Sequence, residues 1–203
     1  CHVLSDFLFV RCMQRESHSH RAYQDYIREV GVSEMIVTDN SRTQTGKKWE
    51  QTSHEVMTNQ RRFTPHNQNE SKVKRCIQDV KHKVTLVMQH AGPPLVFWCY
   101  ALIFMADCLN YIAKRPLGWK TSTEVLNGDM ADILLPRFKF WQPIKFLDKA
   151  QFPESRWSMG RFLGIAWGTG DLFTFRVWSK PNRQWKEGHE FTRKVVRPVT
   201  QMR

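Results

Sequence analysis

Residues 64–81 read TPHNQNESKVKRCIQDVK, a polar loop that leads into a basic amphipathic segment. The proline and the polar residues after it favour a loop. From about residue 67 to 89, apolar positions recur with the 3.6-residue period of a helix: Val73, Ile77, Val80, Val84, Val87 and Met88. This stretch therefore predicts one long helix with a basic surface, which includes Lys72, Lys74 and Arg75.

Strand and helix patterns alternate before that helix. In order, FLFVRCM (7–13) predicts a strand, the segment from Ser17 or Ser19 to Gly31 a helix, MIVTD (35–39) a buried strand, residues 45–57 a second helix, and QRRFT (60–64) a short strand. Such alternation over residues 1–115 indicates an α/β layer domain.

A second apolar segment follows, PPLVFWCYALIFMADCLNYIA (93–113). It contains Asp107 and Asn110, and it lacks the roughly 20 uninterrupted apolar residues that a membrane span requires. We expect a buried core helix here and no membrane partner.

The remainder of the chain has the pattern of short strands. FKFWQPIKF (138–146), GRFLGIAWG (160–168), LFTFRVW (172–178) and KVVRPV (194–199) are rich in β-forming residues and are separated by turn residues. This spacing predicts a small β-barrel, and we place the domain boundary so that residues 1–128 form the α/β domain and residues 129–203 the barrel.

The chain is strongly basic, with 31 Lys and Arg against 19 Asp and Glu and a net charge of +12 over 203 residues. The excess lies on both sides of the predicted boundary. A polyanion is the natural partner for such a surface, and DNA or another nucleic acid is the commonest polyanion. In the predicted barrel, basic residues alternate with tryptophans, most of which we expect to pack internally.

Five cysteines occur at wide, irregular spacings, without a pair that has zinc-ligand spacing. We expect reduced thiols. The first residues show no basic region followed by a cleavage site, so we expect a nuclear or cytoplasmic protein, not a secreted one.

Several motifs, in this order, resemble retroviral-type integrases, and in particular the integrase of copia-class retrotransposons. VTDN (37–40) resembles the strand-end Asp-Asn of that family, and TPHNQN with the basic helix resembles its third-acid segment. ADCLNYIAKRPLGWKTSTEVLNG (106–128) resembles the tract that closes the catalytic core, and the barrel segments resemble the SH3-like domain that follows it.

The resemblance implies a fold and an activity. The fold is an RNase H-like mixed sheet flanked by helices, here truncated at its N-terminus, followed by a small SH3-like β-barrel. The activity is that of a polynucleotidyl transferase in which Asp, Asp and Glu hold two Mg²⁺ or Mn²⁺ ions. It also implies self-association, because integrases of this type work as multimers.

The carboxylates that the family requires are incomplete in this chain. The first Asp would precede Cys1, and Asp39 matches the second Asp, so that Asp39 is a vestigial catalytic residue and metal ligand. Lys74, 35 residues after Asp39, occupies the position of the Glu, or in another register Lys72 or Val73 does. Glu70 is the nearest carboxylate, and it would serve only if the helix shifted by a turn.

A lysine at the position of the acid changes the expected chemistry. Its ammonium group would pair with Asp39 and repel a divalent cation. We therefore expect no productive metal binding, and a catalytically defective protein.

Nucleic-acid binding depends on distributed charge and does not require these acids. The predicted binding residues are Lys47, Lys48, Arg61, Arg62, Lys72, Lys74 and Arg75. The leading hypothesis is a retrotransposon-derived, integrase-like protein that binds nucleic acid and is associated with DNA integration. Two alternatives remain: a non-catalytic scaffold module, or an active transferase within a longer chain.

Overall fold

A computed structural model describes residues 2, 4–38, 46–62, 68–129, 137–148, 155–167, 169, 173–179 and 189–199. The described chain is a mixed α/β structure. Its helices are α1 (Ser19–Val30), α2 (Lys47–Glu55), α3 (Gln68–Ala91), α4 (Trp98–Asn110) and α5 (Ser122–Asn127). Its strands are β1 (Met35–Thr38), β2 (Asn59–Arg62), β3 (Ala113–Lys114), β4 (Lys120–Thr121), β5 (Pro143–Leu147), β6 (Trp157–Ile165), β7 (Phe175–Ser179), β8 (His189–Arg193) and β9 (Val196–Pro198).

The chain divides into two compact units. We call Phe9–Asp79 the N-terminal unit, and Cys1–Leu8 together with Val80–Arg203 the sheet unit. The division falls within α3. Because α4 packs against β6, the residues on the two sides of the predicted 128/129 boundary share one compact unit. The domain boundary itself stays a prediction.

The N-terminal unit contains α1, β1, α2 and β2. Strand β1 pairs with β2 in parallel, with Met35 opposite Asn59 and Thr38 opposite Arg62. Helix α1 packs against α2 through the rings of Tyr23 and Trp49, which are stacked with centroids 4.7 Å apart. Both rings are buried, so this contact provides the apolar centre of the unit.

The strand predicted at residues 7–13 is wrong, because no strand is present between residues 4 and 13. Instead, the Leu8 N–H donates to Asn110 Oδ1 at 2.8 Å, and Asn110 Nδ2 donates to the Leu8 carbonyl at 2.9 Å. A side-chain amide therefore satisfies the backbone groups of Leu8 that a neighbouring strand would otherwise pair.

The sheet unit contains a five-stranded antiparallel sheet in the order β8-β7-β6-β5-β9. The predicted β segments are confirmed with shifted ends, and β8 was not predicted. One face of the sheet buries an aromatic and aliphatic cluster, made of Phe138, Ile144, Phe146, Phe162, Phe175, Val177 and Val196. The alternating burial along β5 and β7 follows from the two-residue period of a strand.

A second cluster joins α3 and α4 to the sheet, and its buried members are Val80, Val84, Phe97, Ala101, Phe140, Trp141 and Leu163. The expectation of a buried core helix over 93–113 is wrong in its first part. Leu95, Val96 and Trp98 are 82%, 72% and 55% exposed, because only one side of this segment faces the sheet unit's core. Among the described helices, none has the length and apolarity needed to cross a bilayer.

The cysteines of the described residues fall into two groups. Cys76 and Cys108 are free thiols, whereas Cys12 and Cys99 are disulfide-bonded. The expectation of reduced thiols is therefore wrong for Cys12 and for Cys99. Burial raises the pKa of the Cys108 thiol to about 12, and the neighbouring Asp107 carboxylate acts in the same direction.

Candidate nucleic-acid interface

The carboxyl ends of β1 and β2 lie at the same edge, because the strands are parallel. Thr38 is the last residue of β1, it is 4% exposed, and its hydroxyl has no hydrogen-bond partner in the part of the chain that is described. Asp39 comes directly after Thr38 in the sequence but lies outside the described residues. Its role as a vestigial catalytic residue and metal ligand stays a prediction.

The position of the third acid lies in α3, which is helical at both residue 70 and residue 74. Helical geometry separates Glu70 from Lys74 by about 6 Å along the axis. Lys74 is exposed, whereas the side chain of Glu70 lies outside the part of the chain that is described. The substitution of the acid by Lys74, and its pairing with Asp39, therefore stay predictions.

A metal site requires several donor side chains around one point. Within those residues, no group of three or more His, Cys, Asp or Glu side chains is arranged to hold an ion. The carboxylate of Glu50, on α2, lies 3.6 Å from the guanidinium of Arg62. The described donors therefore do not fit Mg²⁺ or Mn²⁺, and we derive no metal-dependent step from them.

Helix α2 begins with two lysines. Lys47 and Lys48 occupy its first turn and are exposed, and the N-cap residue Gly46 offers no side-chain cap. Cations at the N-terminus of a helix oppose the helix dipole, which favours negative charge there. Helix stability therefore does not explain this pair of lysines, whereas contact with an anionic group would.

Strand β2 ends with two exposed arginines, Arg61 and Arg62. The 3.6 Å contact between Arg62 and Glu50 places the end of β2 beside the first turn of α2. Lys47 precedes Glu50 by three residues, so both lie on the same side of that helix. The structure thus brings the cations of α2 and β2 to neighbouring positions.

Helix α3 contributes Lys74 and Arg75, which are both exposed. Farther along α3, Val80 and Val84 are buried. Lys72 also lies in α3, but its side chain falls outside the described part. Lys47, Lys48, Arg61, Arg62, Lys74 and Arg75 therefore share two properties: all six are exposed, and all belong to the N-terminal unit.

Two tryptophans of the predicted barrel segments pack internally, whereas Trp98 and Trp119 of the same unit are 55% and 71% exposed. Trp167 Nε1 donates to Asp107 Oδ2 at 3.0 Å, and the ring of Trp178 packs edge-on against Phe97, with centroids 5.0 Å apart. The expectation of internal packing is confirmed for these two residues. Arg176, a basic neighbour, lies 3.6 Å from the carboxylate of Glu190.

One basic pair on the sheet was not predicted. Lys145 on β5 lies directly opposite Arg197 on β9, and both are exposed. Like charges in opposite positions destabilise a pair of strands. The alternation in PIKFL (143–147) places Lys145 on the outer face, but only the strand pairing reveals its neighbour.

Sequence comparison gives no relative: no protein-family model matches the chain, and no curated protein does. Comparison with solved structures, in contrast, finds similar folds. The HTLV-2 integrase catalytic core domain, solved in complex with magnesium in a trimeric form, superimposes with a TM-score of 0.53 and 16% identity, covering 62% of this chain and 80% of that one.

Two further solved structures are more distant. They are the BIV integrase catalytic core domain (TM-score 0.46, 18% identity, 58% of this chain and 74% of that one) and a simian T-cell lymphotropic virus intasome in complex with the PP2A subunit B56 gamma (0.45, 10%, 95% and 69%). The fold assignment therefore rests on the HTLV-2 core. At this level of identity the likeness concerns the fold alone, and the chain has an integrase-core-like α/β fold.

Proposed function

We propose that this protein is a retrotransposon-derived, integrase-like protein that binds nucleic acid in association with DNA integration and lacks catalytic activity. The observation that carries the proposal is the exposure of all six described cations of the predicted set within one unit. Exposed lysines and arginines bind phosphates without reading sequence, and each neutralised phosphate releases counterions. The integrase-core-like fold supports DNA as the polyanion.

The binding proposal is tested by fluorescence anisotropy with a labelled duplex at several salt concentrations. We expect binding without strong sequence preference that weakens steeply between about 50 and 200 mM salt. The reason is that log K falls by about 0.9 for each neutralised phosphate with every tenfold rise in salt concentration. Affinity that ignores salt would refute the proposal.

Two double variants locate the surface: Lys47→Gln with Lys48→Gln, and Lys74→Gln with Arg75→Gln. Each should reduce the salt slope by about 2, because two phosphate contacts are lost. Arg28→Gln is the matched control, since Arg28 is an exposed cation of the same unit whose guanidinium contacts the carboxylates of Asp25 and Glu29. An equal loss in the control would mean that net charge, and not this surface, governs binding.

The absence of catalysis is tested separately with purified protein, Mn²⁺ and a supercoiled plasmid. We expect no nicking and no strand joining, because Lys74 stands where the resemblance requires an acid. Nicking that disappears in both Asp39→Asn and Glu70→Gln would contradict this proposal and support the alternative of an active transferase.

We also propose that the five-stranded sheet is an SH3-like barrel. Its support is the strand order, in which the last strand, β9, returns to pair beside the first, β5, and the register shift in β6 between Phe162 and Gly164, since bulges bend strands. A crystal structure tests this proposal: two sheets packed at about 90° are expected, and a single open sheet would contradict it.

A further inference from the structure

The sheet unit contains a cavity that the proposed function does not use. Its volume is about 420 Å³, and it is lined by Ala91, Gly92, Pro93, Pro94, Trp141 and Arg161. The first four residues connect α3 to the segment before α4, while Trp141 and Arg161 come from the sheet region. The lining therefore combines an apolar wall with one permanent positive charge.

Arg161 is held in place, and it has no acidic partner within the described ranges. Its Nη1 donates to the Trp141 carbonyl at 3.3 Å, and its guanidinium carbon lies 5.9 Å from the Trp141 ring centroid. Among the described residues, no carboxylate forms an ion pair with Arg161. A guanidinium has five N–H donors, so most of its donors can bind a ligand with two oxygens.

The wall of the cavity continues into an exposed apolar segment. Leu95 and Val96 follow Pro94 directly and form a 3-10 helix with Phe97, and Trp98 comes next. Phe97 is 3% exposed, with its ring centroid 4.5 Å from that of Trp141. Because Phe97 anchors the segment, the exposed side chains of Leu95, Val96 and Trp98 are held beside the cavity.

We propose that the cavity and the exposed side chains of Leu95, Val96 and Trp98 bind an acidic peptide that also carries apolar side chains. A carboxylate of the peptide pairs with Arg161 in the two-bond geometry that arginine favours. Its apolar side chains cover Pro94, Leu95 and Val96, which would otherwise expose apolar surface to water.

Charge and apolarity together select this partner. Nucleic acid would neutralise Arg161, but it would leave the aliphatic side chains of Leu95 and Val96 without an apolar partner. A second copy of this chain carries the same net charge of +12 and is repelled at long range. An acidic peptide with apolar residues satisfies both features of the surface.

The test measures binding of the fluorescein-labelled peptide DLEFDLEF by fluorescence anisotropy. Two matched probes separate the contributions: NLQFNLQF keeps the apolar residues without charge, and DSEGDSEG keeps the charge without the apolar residues. We expect the first peptide to bind at least about tenfold more tightly than either control, a ratio typical of losing one charge-assisted contact or one apolar contact.

Variants then locate the binding site. Arg161→Gln and the double variant Leu95→Ser with Val96→Ser should each weaken binding of DLEFDLEF by about tenfold. Arg161→Lys keeps the charge but loses the two-bond geometry, so an intermediate loss is expected. Arg197→Gln, which removes another exposed arginine of the sheet unit, should leave the affinity unchanged. Far-UV circular dichroism checks the fold, and the serine variant changes exposed residues only.

Four outcomes would overturn the proposal. In the first, the peptide DLEFDLEF does not bind at concentrations below about 1 mM, and in the second, the neutral peptide NLQFNLQF binds as tightly as DLEFDLEF. In the third, neither Arg161→Gln nor the serine variant changes the affinity for DLEFDLEF. In the fourth, oligothymidylate displaces the peptide and itself binds the Arg161→Gln variant more weakly. The last result would assign the surface to nucleic acid. Salt-dependent DNA binding by the N-terminal unit is measured independently, so the two proposals can fail separately.

Discussion

The sheet unit and the N-terminal unit are stabilised in different ways. The sheet unit buries a continuous set of phenylalanines, of which Phe146, Phe162 and Phe175 are at most 1% exposed. The N-terminal unit has the stacked pair Tyr23 and Trp49 as its centre. Tyr23 Oη and Trp49 Nε1 are buried without hydrogen-bond partners among the described residues, and a buried polar atom without a partner lowers stability.

The residues that stabilise the fold and the residues of the proposed function therefore lie in different units. The six exposed cations of the predicted binding surface all belong to the N-terminal unit, whereas the largest fully buried side chains all belong to the sheet unit. A binding surface made of exposed charge needs only a scaffold that orders its backbone. Substitutions in the core of the sheet unit should therefore cost more stability than substitutions in the core of the N-terminal unit.

The largest effect is expected in the aromatic cluster of the sheet unit. Phe162→Ala removes a ring that packs against Phe138 and Phe175, with centroids 5.2 and 5.8 Å away. It should lower the free energy of unfolding by about 3–5 kcal/mol, through lost burial and the cavity left behind. Urea denaturation measures this change. Phe173→Ala is the control, because Phe173 is 38% exposed, and equal losses would refute a core located at Phe162.

A smaller effect is expected at the hydrogen bonds between Asn110 and Leu8. Asn110→Ala leaves both the N–H and the carbonyl of Leu8 without their described partner, and should cost about 2–3 kcal/mol. Amide hydrogen exchange at Leu8 should accelerate in the variant. Unchanged exchange at Leu8 would mean that these bonds do not hold the segment.

Two tyrosines of the N-terminal unit offer a matched pair. Tyr26→Phe removes the hydrogen bond between the tyrosine hydroxyl and Ser33 Oγ, 3.0 Å apart, and should cost about 1 kcal/mol. Tyr23→Phe removes a buried hydroxyl that has no partner among the residues the structure describes, so it should leave stability unchanged or raise it slightly. Thermal unfolding compares the two variants, and a larger loss in Tyr23→Phe would contradict the assignment of an unsatisfied hydroxyl.

The smallest effect at neutral pH concerns Cys108 in the sheet unit. Burial raises its pKa to about 12, above the ordinary value of 9.0 for a cysteine thiol. The unfolded chain therefore loses this proton first, and the stabilising contribution of Cys108 is lost as the pH rises from about 9 to about 12. Cys108→Ser should flatten the decrease in unfolding free energy between about pH 8 and 10.5. An unchanged slope in that variant would show that other groups govern alkaline stability.

Local sequence patterns predicted most helices well. Helix α1 ends at Val30 and is followed by Gly31, with φ of 111°, a conformation that glycine adopts without a side-chain penalty. The predicted range of 67–89 for α3 compares with Gln68–Ala91 in the structure, because the 3.6-residue apolar period reports directly which side of a helix is buried.

Patterns failed where a partner outside the segment decides the structure. FLFVRCM alternates like a strand, yet Leu8 bonds to a side chain about a hundred residues away. Likewise, the apolar residues Leu95 and Val96 suggest burial, but their exposure depends on how Phe97 is anchored. Within the candidate site, Lys47, Lys48, Arg61, Arg62, Lys74 and Arg75 were identified from charge and order alone, while the contact between Arg62 and Glu50 required the structure.

The sequence by itself determined the mixed α/β class, the basic character and the identity of the cations, because period and charge are properties of the residues in order. Tertiary structure decided which residues became neighbours. It placed Lys145 opposite Arg197 and brought Arg161 to the wall formed by Pro93 and Pro94. Such pairings depend on long-range packing of side chains, which local propensity does not encode.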